Sequence, residues 1–60
     1  MKFTKSELTE MIERSIHKGR NLTNWENSFL ESISDQLTRT GSLSEKQEEI
    51  LERIYVDKVP

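Results

Sequence analysis

Three stretches of the chain carry apolar residues at spacings of three and four positions. That spacing gathers the apolar side chains on one side of an α-helix and leaves the other sides polar. No stretch shows the strict alternation that is typical of a β-strand. The sequence therefore predicts an all-α fold, a small three-helix bundle in a single domain (1–60), with helices at 5–18, 24–39 and 45–57. The predicted inward-facing positions are Leu8, Met11, Ile12, Ser15 and Ile16, then Trp25, Phe29, Leu30, Ile33 and Leu37, and finally Gln47, Ile50, Leu51, Ile54 and Tyr55.

The same start signal precedes each of these stretches. It consists of an apolar residue, then Ser or Thr, and three residues later Glu or Gln. The hydroxyl accepts a hydrogen bond from the third helical N–H, while the Glu or Gln accepts one from the capping residue's own N–H. Such a cap typically contributes about 1 kcal/mol. The three copies are Phe3-Thr4 with Glu7, Leu22-Thr23 with Glu26, and Leu43-Ser44 with Gln47.

The apolar residues of these signals have predicted packing roles. Phe3 precedes its cap and Leu8 lies at the fourth helical position, which is the spacing of a hydrophobic staple. The other two copies carry polar residues at that fourth position, so Leu22 and Leu43 are expected to pack into the core directly.

Glycines mark the predicted ends of the first two helices. Gly19 and Gly41 follow the periodic stretches, and each suits the left-handed conformation that often ends a helix. Lys18 and Arg39 fall in the last turns, where a cation complements the helix dipole. The third helix is expected to end near Asp57.

The second predicted helix has the largest apolar content and is central in chain order, so we expect it to form the spine of the core. Short loops favour consecutive helices as packed neighbours. Truncating Phe29 or Ile33 to Ala should then unfold the domain, because such changes cost about 2–5 kcal/mol. Gln47 and Lys58 should mark the ends of the buried seam of the third helix.

Composition narrows the classes of function. A chain of 60 residues with 11 acidic and 9 basic side chains, a net charge of −2 and no Cys has neither a disulfide framework nor a thiolate metal site. No apolar run approaches the roughly 20 residues of a membrane span, and the first residues lack the apolar segment of a signal peptide. The expectation is a soluble cytoplasmic protein without a membrane partner.

The titratable residues do not form a recognisable catalytic set. His17 is the only histidine and is predicted to face solvent, and no Gly-rich loop or nucleophile motif accompanies it. The sequence thus predicts no enzyme, no cofactor and no metal site. The acidic runs are interpreted as solvated faces beside Arg14 and Arg53, with an acidic docking surface as the alternative. They comprise Glu7, Glu10 and Glu13 in the first helix and Glu45, Glu48, Glu49 and Glu52 in the third.

Basic residues gather at the end of the first predicted helix. Arg14, His17, Lys18 and Arg20 would form a patch for nucleic acid, to which Lys2 and Lys5 could add. The competing explanation is that these basic residues stabilise the C-terminal end of the helix through its dipole and keep the protein soluble. A helix-turn-helix mode is disfavoured, because the third helix would enter the major groove with its N-terminal end, and that end is acidic.

Trp25 lies at the second position of its helix. Its place in the apolar stripe favours core packing. The alternative is an anchor for a protein partner, since Trp is enriched among the residues that dominate binding energy. In that case the partner surface would comprise Trp25, Glu45, Glu48, Glu49 and Glu52.

Residues 22–55 carry a specific cadence: Leu-Thr-x-Trp-Glu-x-x-Phe-Leu-x-x-Ile, then Leu-Ser-x-Lys-Gln-x-x-Ile-Leu-x-x-Ile-Tyr. This cadence resembles the family of short bacteriophage proteins associated with the UvsW recombination helicase. The resemblance implies a phage protein in the host cytoplasm, in the setting of DNA replication, recombination or repair. It implies no helicase activity, since the chain has no phosphate-binding loop, and it supplies no catalytic residues. The first twenty residues show no matching pattern.

These observations favour a non-enzymatic interaction module, a phage accessory protein that binds a protein partner in DNA metabolism. Weak nucleic-acid binding through the basic patch is one alternative. Inhibition of a host protein through the acidic helical face is another. A homodimer is compatible with each of these hypotheses, because a protein with a small core gains stability when it buries a second face.

Overall fold

Residues 3–59 are described by a computed structural model, and they form three α-helices with no strand in that range. The helices are α1 (Lys5–Lys18), α2 (Asn24–Thr40) and α3 (Glu45–Lys58). The predicted all-α class and three-helix architecture are confirmed. The first helix has the predicted bounds, and α2 and α3 each continue one residue further. Lys2, a predicted contributor to the basic patch, lies outside the described residues.

All three predicted capping boxes are present. At α1 the Thr4 hydroxyl accepts from the Glu7 N–H at 3.1 Å, and the Glu7 carboxylate accepts from the Thr4 N–H at 2.8 Å. The boxes that start α2 and α3 have the same two bonds within 0.1 Å of these lengths. Each helix therefore begins where local side-chain chemistry satisfies its free N–H groups.

Gly41 ends α2 as predicted. Its φ of 78° lies in the left-handed region, and its N–H donates to the Leu37 carbonyl at 2.8 Å. A side chain at this position would be strained whatever the space around it, because L-residues rarely adopt that conformation.

Gly19 does not adopt the predicted left-handed conformation. Its backbone is extended, with φ −67° and ψ 141°, and the left-handed residue of this loop is Asn21, at φ 58°. Asn tolerates that region better than most residues. Glycine is required at position 19 for space: a Cβ there would collide with the Ser15 carbonyl oxygen and press on the Leu22 side chain.

The core is a single cluster of buried apolar side chains from all three helices and the second loop. Phe3, Leu22, Phe29, Ile50 and Tyr55 are half-buried and pack against it, and Leu43 lies within it. The predicted packing of Phe3, Leu22 and Leu43 is therefore confirmed. The buried members are Leu8, Met11, Ile12, Leu30, Ile33, Leu37, Leu43, Leu51 and Ile54.

The predicted position of the second helix as spine of the core is wrong. It is α1 that packs against both other helices, most extensively against α3, whereas α2 and α3 make the least contact with each other. Chain order misled the prediction, since α1 and α3 are not consecutive. The apolar content of α2 misled it too, because part of that content lies at the surface.

Two residues of the predicted inward stripes are exposed: Ile16 is 41% exposed and Trp25 is 60% exposed. Four others are only half-buried, namely Phe29, Gln47, Ile50 and Tyr55. Ile16 lies at the edge of the arc defined by Leu8 and Ile12, and Trp25 lies in the first turn of α2.

Polar contacts close both ends of the bundle. The amides of Gln36 and Gln47 exchange two hydrogen bonds, at 3.0 and 2.9 Å, and so join α2 to the start of α3. At the other end the Lys58 ammonium donates to the Asn21 carbonyl at 3.4 Å and lies 3.9 Å from the Glu26 carboxylate. The predicted roles of Gln47 and Lys58 as ends of the buried seam are confirmed.

Truncation of Ile33 and of Phe29 should reduce stability by different amounts, although the sequence predicted the same effect for both. Ile33→Ala should cost about 2–5 kcal/mol, since Ile33 is fully buried. Phe29→Ala should cost only about 1–2 kcal/mol, because part of its ring already faces solvent. Urea unfolding followed by circular dichroism measures both. Equal losses of stability in the two variants would contradict this picture of the core.

Substitution of Gly41 should reveal the conformational demand of its turn. Gly41→Ala should lower the free energy of unfolding by about 1–2 kcal/mol through the left-handed backbone, although nothing lies near the added Cβ. Gly41→Asn should recover part of that loss, because Asn enters the left-handed region more readily. Thermal denaturation of the two variants provides the comparison, and an Ala variant as stable as the wild type would refute the assignment.

Candidate protein-interaction surface

Trp25 is the largest exposed apolar side chain in the described part of the structure. Its favoured interpretation as a core residue is wrong, since 60% of it is accessible to solvent. Its ring stacks on that of Phe29, with centroids 5.2 Å apart and planes inclined by 8°. Residues four apart lie on the same side of a helix, so the start of α2 presents two parallel aromatic rings. The stack holds Trp25 in a defined orientation although the core does not enclose it.

The Trp25 ring forms one wall of a groove between α2 and α3. The groove has a volume of about 420 Å³, and Ile50 and Ile54 of α3 provide apolar side chains on the opposite wall. Ile50 is half-buried and Ile54 is buried, so the groove has an apolar floor that merges with the core. Its remaining lining is charged: Glu26, Lys46, Glu49, Arg53 and Asp57. The arrangement combines an apolar centre with a charged rim, as protein interfaces do.

The outward face of α3 continues this surface. Val56 is 73% exposed, and it lines a shallow depression of about 860 Å³ next to the groove. We call the side chains of this face the α3 stripe: Lys46, Glu49, Ile50, Arg53, Val56 and Asp57. Their spacing of three and four residues aligns them along one side of the helix. Sequence reasoning assigned Ile50 to the core and Arg53 to the neutralisation of nearby acids, and gave no partner role to Val56, Lys46 or Asp57.

The acidic part of the predicted partner surface is only partly at the surface. Glu45 and Glu49 are exposed, Glu52 is half-buried, and Glu48 is buried at 3% exposure. The prediction that Glu48 is solvated or available to a partner is therefore wrong. Glu48 follows the capping box by one position, and that position of α3 faces inward beside Leu51. Its spacing of three and seven residues from Leu51 and Tyr55 indicated this side of the helix, but its charge argued against burial, because a buried carboxylate is rare.

The predicted basic patch is exposed, as expected. Arg14, His17 and Lys18 occupy one side of the second half of α1, since they are three and four residues apart, and Arg20 follows in the loop. One of the four side chains is paired: the Arg14 guanidinium lies 3.3 Å from the Glu10 carboxylate. The backbone N–H of Arg20 donates to the Lys58 carbonyl at 3.0 Å, which fixes the loop and leaves the guanidinium out of the bond. The Glu10 carboxylate weakens the positive field that a nucleic-acid site requires.

The described residues contain no group of three or more His, Asp or Glu side chains placed to hold a metal ion. His17 is exposed at the end of α1. Among residues 3–59, Ser15 Oγ is buried without a hydrogen-bond partner. None of the three helices is long and apolar enough to cross a bilayer. We take the groove beside Trp25 as the candidate site.

The exposure of Trp25 can be checked directly, because it is the only tryptophan of the chain. Acrylamide should quench its fluorescence in the folded protein almost as efficiently as in the urea-unfolded chain, since most of the ring is open to solvent. Stern–Volmer plots in buffer and in urea give the two quenching constants. Strong protection in buffer would mean that the ring is covered in solution.

The fold and the surface were also compared with known proteins. No protein-family model, curated protein or solved structure matches the chain. The resemblance of residues 22–55 to the short phage family therefore stays a prediction that is based on the quoted residues alone.

Proposed function

We propose that this chain is a non-enzymatic protein-interaction module, and that the groove beside Trp25 together with the α3 stripe is its contact surface. The observation that carries the proposal is the 60% exposure of Trp25 on a helical surface where it is held by Phe29. Apolar surface that leaves water stabilises a complex by about 25 cal/mol per Å². Burial of the exposed part of a Trp ring would therefore stabilise a complex by several kcal/mol on the order given by that coefficient. A partner that covers the ring would recover that free energy.

The composition of the surface supports a protein as the partner. Trp and Arg are enriched among the residues that dominate protein–protein binding, and here Trp25 and Arg53 line the same groove. The rim carries both signs of charge, with Lys46 and Arg53 beside Glu49 and Asp57. Such a rim would select the orientation of a partner by electrostatic complementarity more than it would add affinity.

The pre-organised ring pair lowers the cost of binding. Side chains that become immobile at an interface lose rotamer freedom, at about 0.5–1.5 kcal/mol each. Trp25 is already restrained by its stack on Phe29. The groove also has a continuous apolar floor formed by Ile50 and Ile54. These features are those of a surface that accepts an apolar side chain from a helix or an extended segment.

The biological setting of the proposal comes from the resemblance of residues 22–55. We place the module in phage DNA replication, recombination or repair, within host cytoplasm, and its partner among the proteins of that process. The quoted cadence includes Trp25, Phe29 and Ile50, which are residues of the proposed surface. The setting and the surface can be tested separately.

Trp25→Ala should abolish partner capture while leaving the fold intact, because the removed ring is mostly outside the core. The wild-type chain and the variant would be immobilised and exposed to extract from phage-infected cells, and the retained proteins would be identified by mass spectrometry. The expected result is one or more proteins retained by the wild type and lost with the variant. Circular dichroism confirms that both chains are folded.

Ile16→Ala is the matched control. Ile16 is also a large exposed apolar residue, but it lies on α1, away from the groove. The control should retain the same proteins as the wild type. Equal capture by all three chains would contradict the proposed surface. Retention that disappears after nuclease treatment, or that falls steeply with salt and depends on Arg14 and Lys18, would instead support nucleic-acid binding.

A further inference from the structure

The charges of the α3 stripe alternate in sign along the helix. From the N-terminal end they are Lys46, Glu49, Arg53 and Asp57, and all four are exposed. Asp57 lies 3.8 Å from Lys58. Among residues 3–59, no opposite charge lies within ion-pair distance of the other three. The stripe therefore presents a row of plus, minus, plus and minus to solvent.

This order is complementary to itself when the direction of the helix is reversed. Two copies of α3 that pack antiparallel about a twofold axis place Lys46 opposite the second copy's Asp57 and Glu49 opposite its Arg53. The midpoint of Lys46 and Asp57 falls between Leu51 and Glu52, and that of Glu49 and Arg53 falls at Leu51. One axis near Leu51 therefore serves both pairs to within about 1 Å of helical rise. The pairs also lie on the correct sides of the contact line. Steps of about 100° per residue put Lys46 and Asp57 on one flank, and Glu49 on the other flank with Arg53 near the centre.

We propose that a second copy of this chain binds the α3 stripe, so that the protein self-associates through an antiparallel pair of α3 helices with Lys46–Asp57 and Glu49–Arg53 ion pairs across a twofold axis. The inference rests on the proposed function, since it uses the same surface and names one occupant of it. A twofold contact must be complementary to itself, and the stripe meets that requirement in both charge sign and position.

The apolar side chains of the surface contribute to the same contact. Val56, 73% exposed, lies on the same flank as Glu49 and would pack at that edge of the contact, and Ile50 lies close to the level of the twofold axis. Trp25 flanks the C-terminal half of α3 and so lies beside the N-terminal half of the opposing helix. There its ring would receive the Lys46 ammonium of the second copy, a favourable cation–π contact.

The size of the contact predicts a weak assembly. One pair of short helices buries less than the roughly 1,200 Å² that separates transient from standard interfaces. We therefore expect dissociation constants between about 1 μM and 1 mM. Such a dimer would be populated at high concentration and would yield the surface to a tighter-binding partner.

Charge reversal provides a sharp test by sedimentation equilibrium between about 10 μM and 1 mM, the range of the expected constants. Glu49→Arg and Arg53→Glu should each weaken self-association about tenfold or more, because each sets like charges opposite one another. An equimolar mixture of the two variants should form a heterodimer, since both facing pairs then have opposite signs. The double variant E49R/R53E should regain self-association with the charges exchanged.

Glu10→Arg and Arg14→Glu form the matched control. They alter another exposed Glu–Arg pair with the same spacing, on α1, and should leave self-association unchanged alone and in mixture. A monomeric wild type at the highest concentration would overturn the inference, and so would single variants that associate as well as the wild type. Circular dichroism of each variant separates lost association from lost helix.

The outcomes also distinguish this inference from the proposed function. A monomeric chain that still captures proteins in a Trp25-dependent manner would refute the second copy as occupant and leave the interaction module standing. A dimer that responds to the charge exchange, together with capture that is indifferent to Trp25, would support self-association and refute the wider role of the surface.

Discussion

The structure depends on the reciprocal hydrogen bonds at the three helix starts. Isolated helices of 14–17 residues are marginal in water, and a chain of this size has a small core with which to hold them. Each capping box fixes where its helix begins. Thr4 precedes the turn that carries Leu8, and Ser44 precedes the turn that carries Leu51. A shift of one residue at either start would leave free N–H groups of the first turn without their side-chain acceptor.

The features that sequence reasoning predicted correctly are those with local causes. The capping boxes, the helix bounds and the left-handed Gly41 each depend on residues a few positions apart. Gly19 was mispredicted because its need for glycine comes from the Ser15 carbonyl and Leu22, a contact that becomes visible only when the loop has its shape. The left-handed residue of this loop is Asn21. Both Gly and Asn adopt that conformation readily, so the sequence alone does not show which of the two residues does so here.

Errors about the surface had tertiary causes. Trp25 and Ile16 follow the helical period of buried residues, yet both side chains are exposed. Glu48 shows the opposite error, a charged residue on the inward face of α3. The period of a helix fixes an angle about its axis, whereas burial also depends on where the neighbouring helices begin and end. Spacing alone predicted the exposed side of α1 that carries Arg14, His17 and Lys18, whereas the groove beside Trp25 required the relative placement of α2 and α3.

The Gln47 side chain both caps its own helix and connects that helix to α2. Its carbonyl oxygen caps the start of α3 by accepting from Ser44, and its amide nitrogen donates to Gln36 on α2. Fraying of the first turn of α3 would therefore release the cross-link to α2 as well. Local opening at this end cannot be confined to one helix, so the two helices should open and close as one cooperative unit.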